Sequence, residues 1–244
     1  MVRVVRGCAR TIDADRTASE RLLEIAAAGE PAIRVWTPHR QVAFGRRDRH
    51  SSGYERARKR ALEAGFTPVE RNVGGRAVAY DGETTLAFAR AEPVADFRRG
   101  TDERYERVTR AVVSGLSEAG IDLERGEPDG SFCPGAHSLS ARPKATDAAD
   151  SQQKLVGIAQ RVRNDAAITA GIVLVDSRQV LATVLESVYA DLEVPFRPAT
   201  VGTIADASGD AEVDHDHLRE TLEAALIGDE SETHIVSVDS LRAD

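Results

Sequence analysis

Lys154-Leu155-Val156-Gly157-Ile158-Ala159-Gln160-Arg161 is the stretch on which the reading of this chain turns. It is an apolar run headed by a lysine and interrupted by one glycine. Of 32 lysines and arginines in the chain, only Lys59, Lys144 and Lys154 are lysines. An ammonium is a compact point charge, whereas a guanidinium is a broad planar fork. A chain so biased towards arginine keeps a lysine where compactness matters. Lys59 and Lys144 stand in polar surroundings. Lys154 opens an apolar strand in which Gly157 lets a backbone or ligand approach closely. Such a strand can present its ammonium to a carbonyl oxygen in a narrow cleft. The plainer alternative is a strand-start lysine snorkelling to water.

Outward from this run (154–162), residues 166–175 form a second β-rich stretch, 177–189 a helix, 214–227 a last helix and 234–238 a short strand. Upstream, Asp13 or Asp15 is placed to cap a helix reaching about Ala28, with Leu22, Leu23, Ile25 and Ala26 as its inner stripe. Residues 32–36 and 41–44 read as strands, 53–64 as a basic helix and 67–71 as a further strand. Residues 77–80 and 84–91 read as a hairpin across Asp81-Gly82, and 102–119 as a long amphipathic helix. Helices and hairpins mix without a βαβ rhythm, which predicts an α+β fold with a mixed sheet. The expectation is one domain over 1–244, with a core at about 32–190, a polar loop at 141–153 and a packed C-terminal extension at 191–244.

Composition narrows the function. With 41% hydrophobic and 30% charged residues the chain has the make-up of a globular protein rather than a disordered one. A net charge of −8 argues against nucleic-acid binding. No apolar run is long enough to span a bilayer and no signal peptide is evident, so the cytoplasm is the expected location. The two cysteines, Cys8 and Cys133, make neither a disulfide framework nor a metal motif. The histidines show no ligand spacing, and no metal site is expected.

Two further elements can carry chemistry. In Arg71-Asn72-Val73-Gly74-Gly75-Arg76-Ala77-Val78, paired glycines between strands let the main chain pass close to a bound group, and flanking arginines can hold an anion. A tight turn with solvated arginines has the same spelling, and the run is neither a P-loop nor a dinucleotide fingerprint. In Ser131-Phe132-Cys133-Pro134-Gly135-Ala136-His137, a cysteine before Pro-Gly sits in a turn. A nearby cation or amide would make its thiol a nucleophile, with His137 as a potential base. Otherwise Cys133 is a small apolar loop residue.

Taken in order, these elements resemble the catalytic domain of the biotin/lipoate protein ligase and octanoyltransferase superfamily. Arg71 to Val78 is similar to its Gly-Gly loop, and Lys154 to Gln160 to its Lys-Ile/Val-x-Gly-x-Ala-Gln signature, about 80 residues apart. Phe132-Cys133-Pro134-Gly135 resembles the Cys-Pro-Gly segment of the octanoyl-[glycine cleavage H protein]:protein N-octanoyltransferases, in which that cysteine forms an acyl-thioester. Arg76 stands where lipoate ligases usually have a third glycine, and Ile168-Thr169-Ala170-Gly171 where they usually carry His-His-Gly.

The resemblance implies a fold like that of class II aminoacyl-tRNA synthetases and biotin ligases, with one large and one small mixed sheet flanked by helices. It implies Cys133 as the nucleophile and Lys154 as the cation holding the acyl carbonyl oxygen. Arg71, Asn72, Gly74, Gly75, Arg76 and Gly157 would bind substrate, with Val73, Val78, Leu155 and Ile158 as apolar walls. The implied partners are an acylated donor (H protein or acyl carrier protein) and lipoyl domains of 2-oxoacid dehydrogenase complexes. The implied substrate is an octanoyl or lipoyl group, with no cofactor required. The alternatives are an ATP- and Mg-dependent lipoate–protein ligase and a non-catalytic acyl- or lipoyl-domain-binding module.

Overall fold

The computed structural model of the chain describes residues 1–71, 75–144, 152–209, 213–230 and 232–241. Its elements begin with β1 (Val2–Arg6), α1 (Ile12–Ala27), β2 (Ala32–Trp36), β3 (Gln41–Phe44), α2 (Tyr54–Glu63), β4 (Thr67–Glu70), β5 (Val78–Tyr80) and β6 (Thr85–Pro93). They continue with α3 (Thr101–Glu118), β7 (Glu124–Arg125), β8 (Ser138–Ala141), β9 (Gln153–Val162) and β10 (Ala166–Leu174). The last are α4 (Arg178–Asp191), α5 (Ile204–Ser208), α6 (His215–Ile227) and β11 (Thr233–Ser237). An eight-stranded mixed sheet runs β11-β1-β2-β6-β10-β9-β8-β7, and a three-stranded sheet runs β4-β3-β5. The α+β class with a mixed sheet is the one expected from the sequence, and one large and one small mixed sheet flanked by helices is the architecture that the family resemblance implies.

Period-two alternation sorts the large sheet's side chains. On β6, Leu86 and Phe88 pack with Val108, Val112 and Leu116 of α3 and Leu218 and Leu222 of α6. Further along the strand and on the opposite face, Ala89 and Ala91 pack with Leu22, Leu23 and Ala26 of α1. The alanines are small enough for α1 to lie close to the sheet. The small sheet packs its Val42, Phe44 and Val78 against α2 and α4.

Two expectations are corrected. Residues 77–80 and 84–91 do not pair: β5 joins β3 in the small sheet, while β6 lies between β2 and β10 in the large one. The buried Asp81 carboxylate accepts from the N–H groups of Glu83, Thr84 and Thr85 at 3.0, 2.8 and 2.9 Å. That turn redirects the chain between sheets instead of folding it back. Thr11, rather than Asp13 or Asp15, caps α1 by accepting from Ala14 N–H. Asp15 is instead buried, holding the Ala9 N–H, the fully buried Arg34 and the Trp36 indole N–H. The strand β1 follows from no pattern singled out in the sequence, yet it pairs in parallel with both β2 and β11.

Candidate active site

The run from Lys154 is β9, hydrogen-bonded to β10 on one side and β8 on the other. Lysine and glycine three apart on a regular strand would point to opposite faces. The register against β8 resolves this. Leu139 and Ser140 are consecutive, but their partners are Val156 and Lys154, which leaves Leu155 as the extra residue of a β-bulge. The bulge re-aims Lys154, so that it and Gly157 line the same cavity. Leu155, expected as a cavity wall, is turned away and buried in the cluster with Leu139 and Val156.

That cavity measures about 560 Å³ and has apolar walls that include Trp36, Val78, Ala87, Ile168 and Ile172, with Cys133 and Arg71 among its polar lining. Ile158, as expected, is also among the lining residues. A Cβ on Gly157 would meet only Lys154 Cε at 3.6 Å and Nζ at 3.9 Å, both ordinary contact distances, so the glycine leaves that part of the lining open beside the ammonium.

Cys133 has a backbone φ of +40°, a region that residues with a side chain rarely occupy. Its N–H donates to the Tyr189 hydroxyl at 2.6 Å, and that hydroxyl donates to the Ala77 carbonyl at 3.0 Å. Burial pushes the Tyr189 phenol up, so it remains a neutral donor and acceptor. The sulfur receives Arg71 Nη2 at 3.1 Å and the Arg76 N–H at 3.4 Å. A cation and an amide converging on one sulfur are complementary to the charge of a thiolate. Burial works against the Arg71 charge, but Cys133, Tyr80 and Tyr189 together outweigh burial and hold the guanidinium above its ordinary range.

The glycine loop makes this approach possible. Gly75 has φ of +94°, and a Cβ there would lie 2.7 Å from the Cys133 sulfur and 2.9 Å from Arg71 Nη2. Arg71 also donates to the Arg76 carbonyl at 2.7 Å, which closes the loop upon itself. Arg76 pairs at 3.3 Å with the fully buried Asp48, whose other oxygen accepts the Gly45 N–H. Burial raises the Asp48 carboxyl despite these partners. The expected substrate contacts Asn72 and Gly74, and the expected wall Val73, lie outside the described residues.

Lys154 is 1% exposed and donates to three acceptors: Glu127 Oε2 at 2.8 Å, and the Phe132 and Cys133 carbonyls, each at 2.9 Å. Lysine and cysteine loop are thus brought together as the sequence leads one to expect. Glu127 and Tyr189 were not singled out in the sequence. Tyr189 carries a weak signal, as a large polar-tipped residue on the inner face of a helix; Glu127, in a Gly-Glu-Pro turn, carries none. His137 does not hold the sulfur: its ring stacks on Tyr105 of α3, with centroids 3.6 Å apart. Cys8 lies elsewhere, its thiol pushed up to about 12 by burial and by Asp15.

The family model of the lipoyl protein ligase A/B catalytic domain matches residues 16–227, and the chain belongs to that family. It is 31% identical over 135 residues to an octanoyl-[GcvH]:protein N-octanoyltransferase of Anoxybacillus flavithermus, covering 54% of this chain and 44% of that protein. It is 30% identical over 122 residues to octanoyltransferase LipM of Kyrpidia tusciae, covering 48% of this chain and 44% of the relative. The chain thus spans less than half the length of these two relatives. Among solved structures it resembles a lipoate-protein ligase A bound with ATP, at a TM-score of 0.72 and 18% identity, over 98% of this chain and 92% of that one. It also resembles a chain from the structural analysis of a bi-partite lipoate protein ligase and its E2 lipoyl domain from Thermoplasma acidophilum. That match has a TM-score of 0.68 and 17% identity, over 98% of this chain and 89% of that one. Among the described residues no helix is long and apolar enough to cross a membrane.

Proposed function

We propose that the chain is an acyltransferase of protein lipoylation that carries an octanoyl or lipoyl group on Cys133. The observation that carries this reading is the convergence of Arg71 Nη2 and the Arg76 N–H on the Cys133 sulfur at the edge of an apolar cavity. The cysteine thiolate attacks the acyl carbonyl carbon of the donor. The donor's carbon–nitrogen or carbon–sulfur bond breaks, and the acyl group stays on Cys133 as a thioester. A departing amine takes up a proton, whereas a thiolate leaves as such. A neutral lysine amine of a lipoyl domain then attacks the thioester, forms the amide, loses a proton and returns the thiolate.

The acyl chain would lie along Val78, Ala87, Ile168 and Ile172, each buried methylene contributing about 0.8 kcal/mol. Lys154 is the cation closest in role to an oxyanion partner. Its ammonium already rests on the Cys133 carbonyl, and it meets the acyl oxygen by exchanging one of its three acceptors. Arg71, Gly75, Arg76 and Gly157 shape the site. The H protein named in the relatives supports an acylated protein as donor or acceptor, and the chemistry drawn here needs no cofactor.

The test offers octanoylated H protein, acylated carrier protein, or free lipoate with and without ATP to an apo lipoyl domain, followed by intact mass. Transfer from an acylated protein without ATP, with a transient adduct on Cys133, is expected, and Cys133→Ala abolishes both. A Cys133→Ala variant that still lipoylates from free lipoate and ATP would show a ligase instead. Binding of octanoylated protein with no transfer by any route would show a binding module.

A further inference from the structure

The turn that carries Cys133 is gripped at an unusual number of points, and one side chain outside the cysteine–lysine–glycine set organises them. Glu127 stands two residues past the end of β7, and the intervening Gly126 donates its N–H to the Ser138 carbonyl at 2.9 Å, which fixes the glutamate's origin beside the sheet. Its Oε1 accepts the Gly135 N–H at 2.8 Å. Its Oε2 accepts both the Ser138 hydroxyl and Lys154 Nζ at 2.8 Å. Lys154 spends its other two protons on the carbonyls of Phe132 and Cys133. Carboxylate and ammonium together therefore hold residues 132, 133, 135 and 138.

We infer that Glu127 is a positioning residue for acyl transfer: its carboxylate fixes both the Pro134-Gly135 turn that presents Cys133 and the ammonium of Lys154. The inference rests on the acyltransferase reading of Cys133. Cys133 at φ +40° is a strained residue, and such residues persist only where the surroundings over-determine them. A carboxylate suits the task better than an amide. Both of its oxygens accept, one from a backbone N–H and one from an ammonium. Glutamine would turn a second donor towards one of those donors and leave it unpaired. The charge also matters, because an ammonium 1% exposed needs a counter-charge.

The test compares the full chain with Glu127→Gln in a Cys8→Ser background. Three quantities are read: acylation of Cys133 by the octanoyl thioester of N-acetylcysteamine, alkylation of Cys133 by iodoacetamide, and hydrogen exchange at the Gly135 amide. Expected are a fall in acylation of about tenfold or more, in kcat rather than KM, and Gly135 exchange faster by a similar factor. Iodoacetamide alkylation, which needs a thiolate but no oriented carbonyl, should change by less than about threefold. Acylation at the unaltered rate, unchanged Gly135 exchange, or equal losses of acylation and alkylation would each overturn the inference. If Glu127→Gln does not fold, Ser138→Ala takes its place. It removes one donor to the carboxylate and should slow acylation by a smaller factor; unaltered acylation there would equally overturn the inference. If the unaltered chain is never acylated, the reading of Cys133 fails first, and Gly135 exchange still shows whether the carboxylate holds the turn.

Discussion

At the scale of single residues, the site depends on Gly75. The sulfur of Cys133 reaches the Arg76 N–H because no side chain stands between them: a Cβ on Gly75 would lie 2.7 Å from that sulfur. Gly75→Ala combines this overlap with a φ of +94°. We expect it to cost roughly 1–3 kcal/mol of stability and at least about a tenfold loss of Cys133 acylation. Denaturant unfolding and intact-mass kinetics measure the two. A variant with unaltered acylation would remove the glycine loop from the site. The sequence made Arg71, Gly75 and Cys133 visible as separate candidates, each with an ordinary alternative. It could not show that they touch, since Arg71 and Cys133 stand 62 residues apart and their meeting depends on how two loops from different elements fold together.

At the scale of elements, helices were the most legible, because a 3.6-residue apolar stripe is a local property. The strand pairs were less so. Asp81-Gly82 has the composition of a hairpin, but three backbone amides gathered by one buried carboxylate change the chain's direction instead. The bulge at Leu155 was equally hidden, since only the partner strand β8 reveals it. Helix α4 contributes Tyr189, which ties the backbone of the Cys133 turn to that of Ala77. Tyr189→Phe leaves a partly buried N–H and a buried carbonyl without that partner, at about 1–3 kcal/mol. We expect a lower unfolding midpoint and slower acylation of Cys133. Wild-type values for both would remove α4 from any role in holding the cysteine.

At the scale of the whole molecule, carboxylates set the acid limit. Burial alone would raise the Glu127 carboxyl, but Lys154, Ser138 and the Gly135 N–H together hold it below its ordinary range. Hydrogen bonds from Tyr54 and Arg49 hold the Glu70 carboxyl low as well. A carboxylate depressed on folding contributes stability that is full above its unfolded pKa, about 4.3 for Glu, and is lost as the pH falls through the folded value. Asp48, raised by burial, works in the opposite sense and offsets part of the loss. Tm should therefore change little between about pH 7 and 5 and fall below about pH 4, with a shallower acid slope in Glu127→Gln. Equal acid slopes in the two proteins would show that Glu127 does not couple to folding.

What the sequence determined by itself was local: the lysine-headed strand with its glycine, the Gly-Gly loop, the cysteine before Pro-Gly and the amphipathic helices. Each is written in residue types and short spacings, which the chain carries whether folded or not. What only the tertiary structure decided was which of these meet. The bulge that turns Lys154 onto the Gly157 face, the arginine and amide on the Cys133 sulfur, and the Glu127 carboxylate beneath the turn arise from contacts between distant segments. The same holds for the parallel pairing of β1 with β11, from opposite ends of the described chain. Such contacts depend on the packing of sheet against sheet and loop against loop, which has no signature in local periodicity.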